Sequence, residues 1–199
     1  MKNISDRKKD WFPNRFSCIP IGVSQWHGHL VNIEKIFKEQ IGFEDETSLV
    51  PKNIDNEKDI FILSNFRAEK YPIRNEALKH FKKNFANKKK CFFDHVSDYE
   101  HIMLNKRSKF VVSPPGNGVD CYRHYESIFM NAIPIIVSSS LDEIFHDLPV
   151  LIVESYLSLN VSFLEQQFDL IRKKKNYNYQ KLYVGYWRNL IHSKIFNFY

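Results

Sequence analysis

Five short aliphatic runs, each followed by a stretch of helical period, occupy the chain from residue 58 onward. The runs are "DIFILSNF" (59–66), "CFFDHVS" (91–97), "SKFVVSP" (108–114), "IPIIVSS" (133–139) and "PVLIVES" (149–155). None alternates apolar with polar, which is the pattern of strands covered on both faces. Between them lie "IRNEALKHFKKNF", with Ala77, Leu78, Phe81 and Phe85 on one side, and the short "DYEHIMLNKR". A helix from about residue 119 to 131 and a turn in "LDEIFHDL" follow. "VSFLEQQFDLIRKKK" and "YQKLYVGYWRNLIHSKI" then read as two closing helices. Strand–helix–strand alternation demands crossover connections, so the expected fold is α/β, a doubly wound and mostly parallel sheet. Ahead of this series, "FSCIPIGV" (16–23) reads as a short strand closed by Gly22. "HGHLVNIEKIFKEQIGF" reads as a helix stopped at Gly42. Residues 1–15 form a polar lead-in, and residues 16–199 the domain.

Composition narrows the functional classes. A chain of 199 residues, 43% hydrophobic and 15% aromatic, suffices for one folded domain and is not that of a disordered protein. Lys and Arg exceed Asp and Glu by 29 to 23, a net charge of +6 that suits an anionic ligand without requiring nucleic acid. Cys18, Cys91 and Cys121 are odd in number, widely spaced and form no C-x-x-C pair, unlike a disulfide framework or a zinc knuckle. The first residues lack the apolar core of a signal peptide, and the longest apolar run, "AIPIIV", is far too short to span a bilayer. A cytoplasmic protein without a membrane span is the expectation.

The chemistry concentrates in "VVSPPGNGVDCYRHYES" (111–127), which holds two of the chain's six glycines. Pro114 and Pro115 end the strand, since neither donates to a ladder. Gly116 and Gly118 are expected to take positive φ and let the backbone approach a ligand. Asp120 is placed as an N-cap or a first-turn carboxylate. The loop lacks the Gly-Lys-Ser/Thr ending of a Walker A motif and is not G-x-G-x-x-G. It is therefore either a plain strand-to-helix turn or an anion cradle at a helix start. Arg123 and Glu126 stand three apart and share a helix face. The guanidinium suits phosphate oxygens, and the carboxylate suits the two hydroxyls of a ribose. The plain alternative is a surface ion pair.

Residues 110–154, "FVVSPPGNGVDCYRHYESIFMNAIPIIVSSSLDEIFHDLPVLIVE", resemble the nucleotide-sugar-binding half of exostosin-like glycosyltransferases, and more closely that of ribitol xylosyltransferase-like proteins. The shared pattern is roughly F-x-x-x-P-x-G-x-G-x-D-x-x-R-x-W/Y-E, then G-x-I-P-I/V-V and a D-L-P-V turn. Weaker similarity touches "FSCIPIGV", "LSNFRAEKYPIRNEALKHF" and "KLYVGYW". The resemblance implies a GT-B fold, of which this chain is the Rossmann-like C-terminal lobe, binding a nucleotide-diphosphate sugar such as a UDP-sugar as substrate. It implies no metal and no other cofactor, because helix ends and basic side chains take the diphosphate charge. It places Ser64, Arg74, Ser113, Gly116, Asn117, Gly118, Arg123 and Glu126 at the donor, with Glu126 on the ribose. Asn131 stands where the pattern has Gly, and asparagine tolerates the left-handed conformation a helix end needs there. Fewer than sixty residues precede the first strand of the series, so the expectation is either an isolated donor lobe or an acceptor lobe supplied by a partner chain, and the acceptor is an unspecified glycan, protein or small molecule.

Other polar residues carry less specific signals. His27 and His29 in "SQWHGHL" are candidates for a catalytic base. Asp94 and His95 end a strand on the ligand side, as a satisfied pair or an acid/base couple. His124 is expected to face away from the ligand. The runs at 88–90 and 172–175 read as solvated helix ends, and a nucleic-acid surface requires them to form one stripe with stacking aromatics. Two functions remain: glycosyl transfer, or a non-catalytic module derived from such a lobe that binds nucleotide or nucleotide-sugar or serves as an interaction domain.

Overall fold

The runs "IFIL", "SKFVV", "IPIIV" and "LIV" are rich in β-branched residues and form the strands β1 (Ile60–Leu63), β3 (Ser108–Val112), β4 (Ile133–Val137) and β5 (Leu151–Val153). β2 (Cys91–Phe92) is shorter. The structure is a computed structural model and describes residues 18–23, 54, 57–68 and 70–196. The strands make one five-stranded sheet in the order β2-β1-β3-β4-β5, parallel throughout. Ile62 registers with Cys91 on one side and Phe110 on the other, and Phe110 in turn with Ile133.

The helices are α1 (Pro72–Phe85), α2 (Asp98–Arg107), α3 (Tyr122–Phe129), the short α4 (Asp142–Phe145), α5 (Val161–Lys173) and α6 (Val184–Phe196). α1 and α5 cover one face. Phe81 and Phe85 of α1 and Leu164 and Phe168 of α5 pack there on Phe110, Val112, Ile133 and Ile135. Phe81 and Phe85 are fully buried, and each such ring stabilises the fold by roughly 2 kcal/mol. The alternate side chains of the same strands, Val111 and Ile136, face α2, α3, α4 and α6. For α1 against α2, α3 and α4, the helices that connect strands, handedness explains this division. The step from β1 to β2 runs opposite to the steps from β2 to β3 to β4 to β5, so crossovers of one hand must use opposite faces.

α2 opens with a capping box, in which the Glu100 amide donates to Ser97 Oγ and the Ser97 amide donates to the Glu100 carboxylate. α5 starts at Asn160, whose side chain accepts from the Phe163 amide. α4 ends under Lys181, whose Nζ donates to the carbonyls of His146 (2.5 Å) and Glu143 (3.4 Å). Among the described residues no helix is long and apolar enough to cross a membrane.

Three sequence expectations change. Residues 18–23 form no strand: Pro20 has no amide to donate, and the Ile21 amide donates to the Asp120 carboxylate at 2.7 Å instead of to a ladder. β2 stops at Phe92, because the chain turns there toward the Ser97 cap of α2. α3 begins at Tyr122 rather than near residue 119, with Cys121 as its N-cap. Residues 1–15 and the helix expected in residues 27–43 lie outside the described residues.

Candidate functional site

The chain leaves β1 toward α1 on one face and β3 toward α3 on the other, and β1 and β3 are neighbours. Their carboxyl ends therefore part into a crevice, the position at which doubly wound sheets hold ligands. A cleft of about 500 Å³ opens there. Arg74 reaches it from α1, the 116–118 loop from β3, and Arg123 and Glu126 from α3. Six of the eight residues that the sequence singles out for the donor meet in this one place. Ser64 and Ser113 do not line it. Both are fully buried: Ser113 Oγ bonds His124 Nδ1 at 2.6 Å, and Ser64 Oγ has no partner. His27 and His29 lie outside the described residues.

The floor of the cleft is a buried polar network. Arg123 Nη1 donates to Asn65 Oδ1 at 2.9 Å, and Asn65 Nδ2 then faces His101 Nδ1 at 3.1 Å. Arg123 Nη1 also lies 3.4 Å from His101 Nε2. Glu126 Oε2 lies 3.7 Å from that nitrogen. Asn105 donates to the His101 carbonyl at 2.9 Å and lies 3.0 Å from Nε2, while Ser127 Oγ donates to Asn105 Oδ1 at 3.0 Å. Glu126 is 2% exposed and His101 7%. Burial pulls the Arg123 pKa below its usual value, and the Glu126 carboxylate opposes that shift. Arg123 and Glu126 thus share a face as expected, within a network and not as a surface ion pair.

The rim differs from expectation in detail. Neither Gly116 nor Gly118 has positive φ; Gly22 is the one described glycine that does. Gly116 is tight for a different reason, since a Cβ there would stand 2.6 Å from Arg74 Nη2. A Cβ on Gly118 would meet nothing closer than the Asp120 carbonyl at 3.7 Å, so its bareness leaves room in the cleft. Asp120 is not the N-cap. Its carboxylate accepts from Tyr125 Oη at 2.9 Å and from the Ile21 amide, tying residues 18–23 to α3. Burial raises the Asp120 pKa against the pull of these donors. No side chain caps α3, whose first turn faces the cleft through Tyr122 and Arg123.

His95 also lines the cleft, but its Nε2 accepts from Arg67 Nε at 3.1 Å and it makes no couple with Asp94. His124 faces the core, as expected of a side chain turned from the ligand; burial lowers its pKa to about 4. Asn65, His101 and Asn105 were missed. Signals existed: Asn65 directly follows β1, and His101 and Asn105 stand four apart on α2 beside buried Ile102 and Leu104.

At the opposite end of the sheet, Lys89 and Lys90 do meet Arg172 in one groove, together with Lys58 and Lys109. Its aromatics, Phe61 and Phe168, are buried beneath Lys89 and Lys109 and offer no stacking surface. Asp59, Glu165 and Asp169 pair with Lys90, Lys89 and Arg172 respectively. Among the described residues no group of three or more His, Cys, Asp and Glu could hold a metal ion. No family model matches the chain, and no curated protein is similar to it in sequence.

Proposed function

We propose that the chain is the donor-binding lobe of an exostosin-like glycosyltransferase and holds a nucleoside-diphosphate sugar, a UDP-sugar, in the cleft between β1 and β3. One observation carries this reading: a guanidinium and a carboxylate from one helix face meet a bare glycine loop at the switch point of a parallel sheet. The diphosphate lies along the uncapped start of α3, where the helix dipole and Arg123 favour negative charge. Glu126 accepts hydrogen bonds from the ribose hydroxyls. In the transfer step an acceptor hydroxyl oxygen bonds to the anomeric carbon and its proton passes to a base, for which His27 and His29 are candidates. The bond from that carbon to the diphosphate oxygen breaks, and the diphosphate leaves with the electron pair.

A nucleotide-binding module without turnover is the second reading. In its favour, the cleft's buried imidazole and carboxylate, His101 and Glu126, are turned toward each other. Calorimetry with UDP, GDP and uridine tests the binding. Glu126→Ala is expected to weaken UDP by about 1–3 kcal/mol, the cost of losing a charged hydrogen bond. Arg123→Ala is expected to weaken UDP more than uridine, because its partner is phosphate. Equal losses for both ligands would remove the diphosphate from Arg123. Release of free sugar or glycosylated acceptor from a UDP-sugar then separates enzyme from module.

A further inference from the structure

Past the end of β3 the carbonyls of Pro114 and Pro115 need donors, and Arg74 supplies both, joined at Pro114 by the Cys121 thiol at 3.7 Å. β3 ends at Val112, and past Ser113 the carbonyls of Pro114 and Pro115 have no ladder to accept from. Arg74 reaches over from α1 and donates to both. Nε bonds the Pro115 carbonyl at 2.9 Å and Nη2 the Pro114 carbonyl at 3.5 Å, while Nη1 bonds the Arg67 carbonyl at 3.1 Å. Three of its five N–H donors therefore go to backbone carbonyls. The Tyr71 ring lies under the guanidinium, 4.9 Å from its carbon, and the Tyr71 hydroxyl donates to the Asn117 side chain. Gly116 sits against the guanidinium with no room for a Cβ. Its φ lies outside the left-handed region, so space and not backbone conformation demands glycine there.

We infer that Arg74 is a positioning residue: its guanidinium clamps the 114–118 loop into the shape that faces the cleft, and residue 116 is glycine to admit it. The clamp itself follows from the geometry; its consequence for ligand rests on the nucleotide reading above. Arg74 acts on ligand through the loop. A lysine, with one ammonium on a flexible stem, cannot span three carbonyls in a plane.

The test is hydrogen exchange of the residue-116 amide, which donates to the Gly118 carbonyl across the loop at 3.0 Å, in unliganded protein, with β4 amides as the reference for an intact fold. Arg74→Ala, Arg74→Lys and Gly116→Ala are each expected to speed loop exchange by roughly tenfold or more, the effect of releasing several hydrogen bonds. The double variant Arg74→Ala/Gly116→Ala is expected to match Arg74→Ala alone, since the clash disappears with the guanidinium. Affinity for UDP is expected to fall alike in all four, with no rescue by lysine. Loop exchange within about twofold of the parent in Arg74→Ala overturns the clamp. So does full rescue by Arg74→Lys, or an undiminished effect of Gly116→Ala in the Arg74→Ala background. If Arg74→Ala unfolds the sheet, the other two single variants decide. Failure of the parent to bind UDP removes the nucleotide reading and leaves the exchange result to judge the clamp.

Discussion

Ser64 and Asn65 are adjacent at the end of β1, yet one is buried without a partner and the other anchors Arg123. The sequence marked Ser64 as the candidate. A one-residue shift along an extended chain reverses the side-chain direction, so pattern alone finds the place and misses the face. An unpaired buried hydroxyl is a liability of about 1–3 kcal/mol. Ser64→Ala is therefore expected to leave urea stability unchanged or to raise it, whereas a clear loss would mean the hydroxyl has a role in the fold. His124 carries a pH dependence. Burial, the main cause, and the nearby Arg123 charge hold its pKa at about 4 against an ordinary 6.5, with the Val119 carbonyl and Glu126 opposing. Between those values the unfolded chain binds a proton that the folded chain does not, so stability is full above pH 6.5 and falls as the pH drops toward 4. Replacing the imidazole with a neutral amide, His124→Gln, is expected to remove about 2 kcal/mol of the stability difference between pH 7 and pH 5. Parallel unfolding curves at the two pH values measure it, and an identical difference in parent and variant would place the acid sensitivity elsewhere.

The helices depend on their ends, and the ends differ in how well the sequence announces them. Asn131 follows α3 at φ 60°, as expected of an asparagine standing where glycine is the common choice. Asn131→Ala is expected to cost roughly 1–2 kcal/mol, and Asn131→Gly much less, because only alanine meets the Cβ penalty of that conformation. Chemical denaturation of the pair checks the order, and equal costs would show that conformation is not what selects residue 131. The capping box of α2 was readable as Ser97-x-x-Glu100 before an apolar stretch. The start of α3 was not. Asp120 has the residue type of an N-cap, but its carboxylate serves Tyr125 and the Ile21 amide, which lies 99 positions away in the chain. A local cap competes with a distant partner, and the distant partner leaves no trace in the local sequence.

At the scale of the whole molecule, the cleft is open on the side where Asn117, Gly118 and Tyr122 are exposed. A diphosphate held there stays partly in water, which weakens the electrostatics that stabilise a leaving group. On the proposed reading, UDP at 100 times its dissociation constant is expected to stabilise the fold by about 2.7 kcal/mol, visible as a thermal shift of about 5 °C or more. Monomeric 199-residue chain is expected to transfer sugar far below an ordinary enzymatic rate of about 10 s⁻¹. Turnover at that rate by protein shown to be monomeric would mean that the proposed transfer needs no second surface. The parallel, two-faced sheet, the succession of its helices and the glycine loop with Arg123 and Glu126 were determined by the sequence alone. Such features follow from periodicity and from residue types within one element, and a βαβ series permits little else. The strand order, and with it the switch point between β1 and β3, was decided only by the tertiary structure. So was the company of Arg123: Asn65 at 58 positions and His101 at 22. Periodicity reports which way a side chain faces from its own axis. Which side chains then meet depends on how the crossovers wind, and that is settled by packing across the whole sheet.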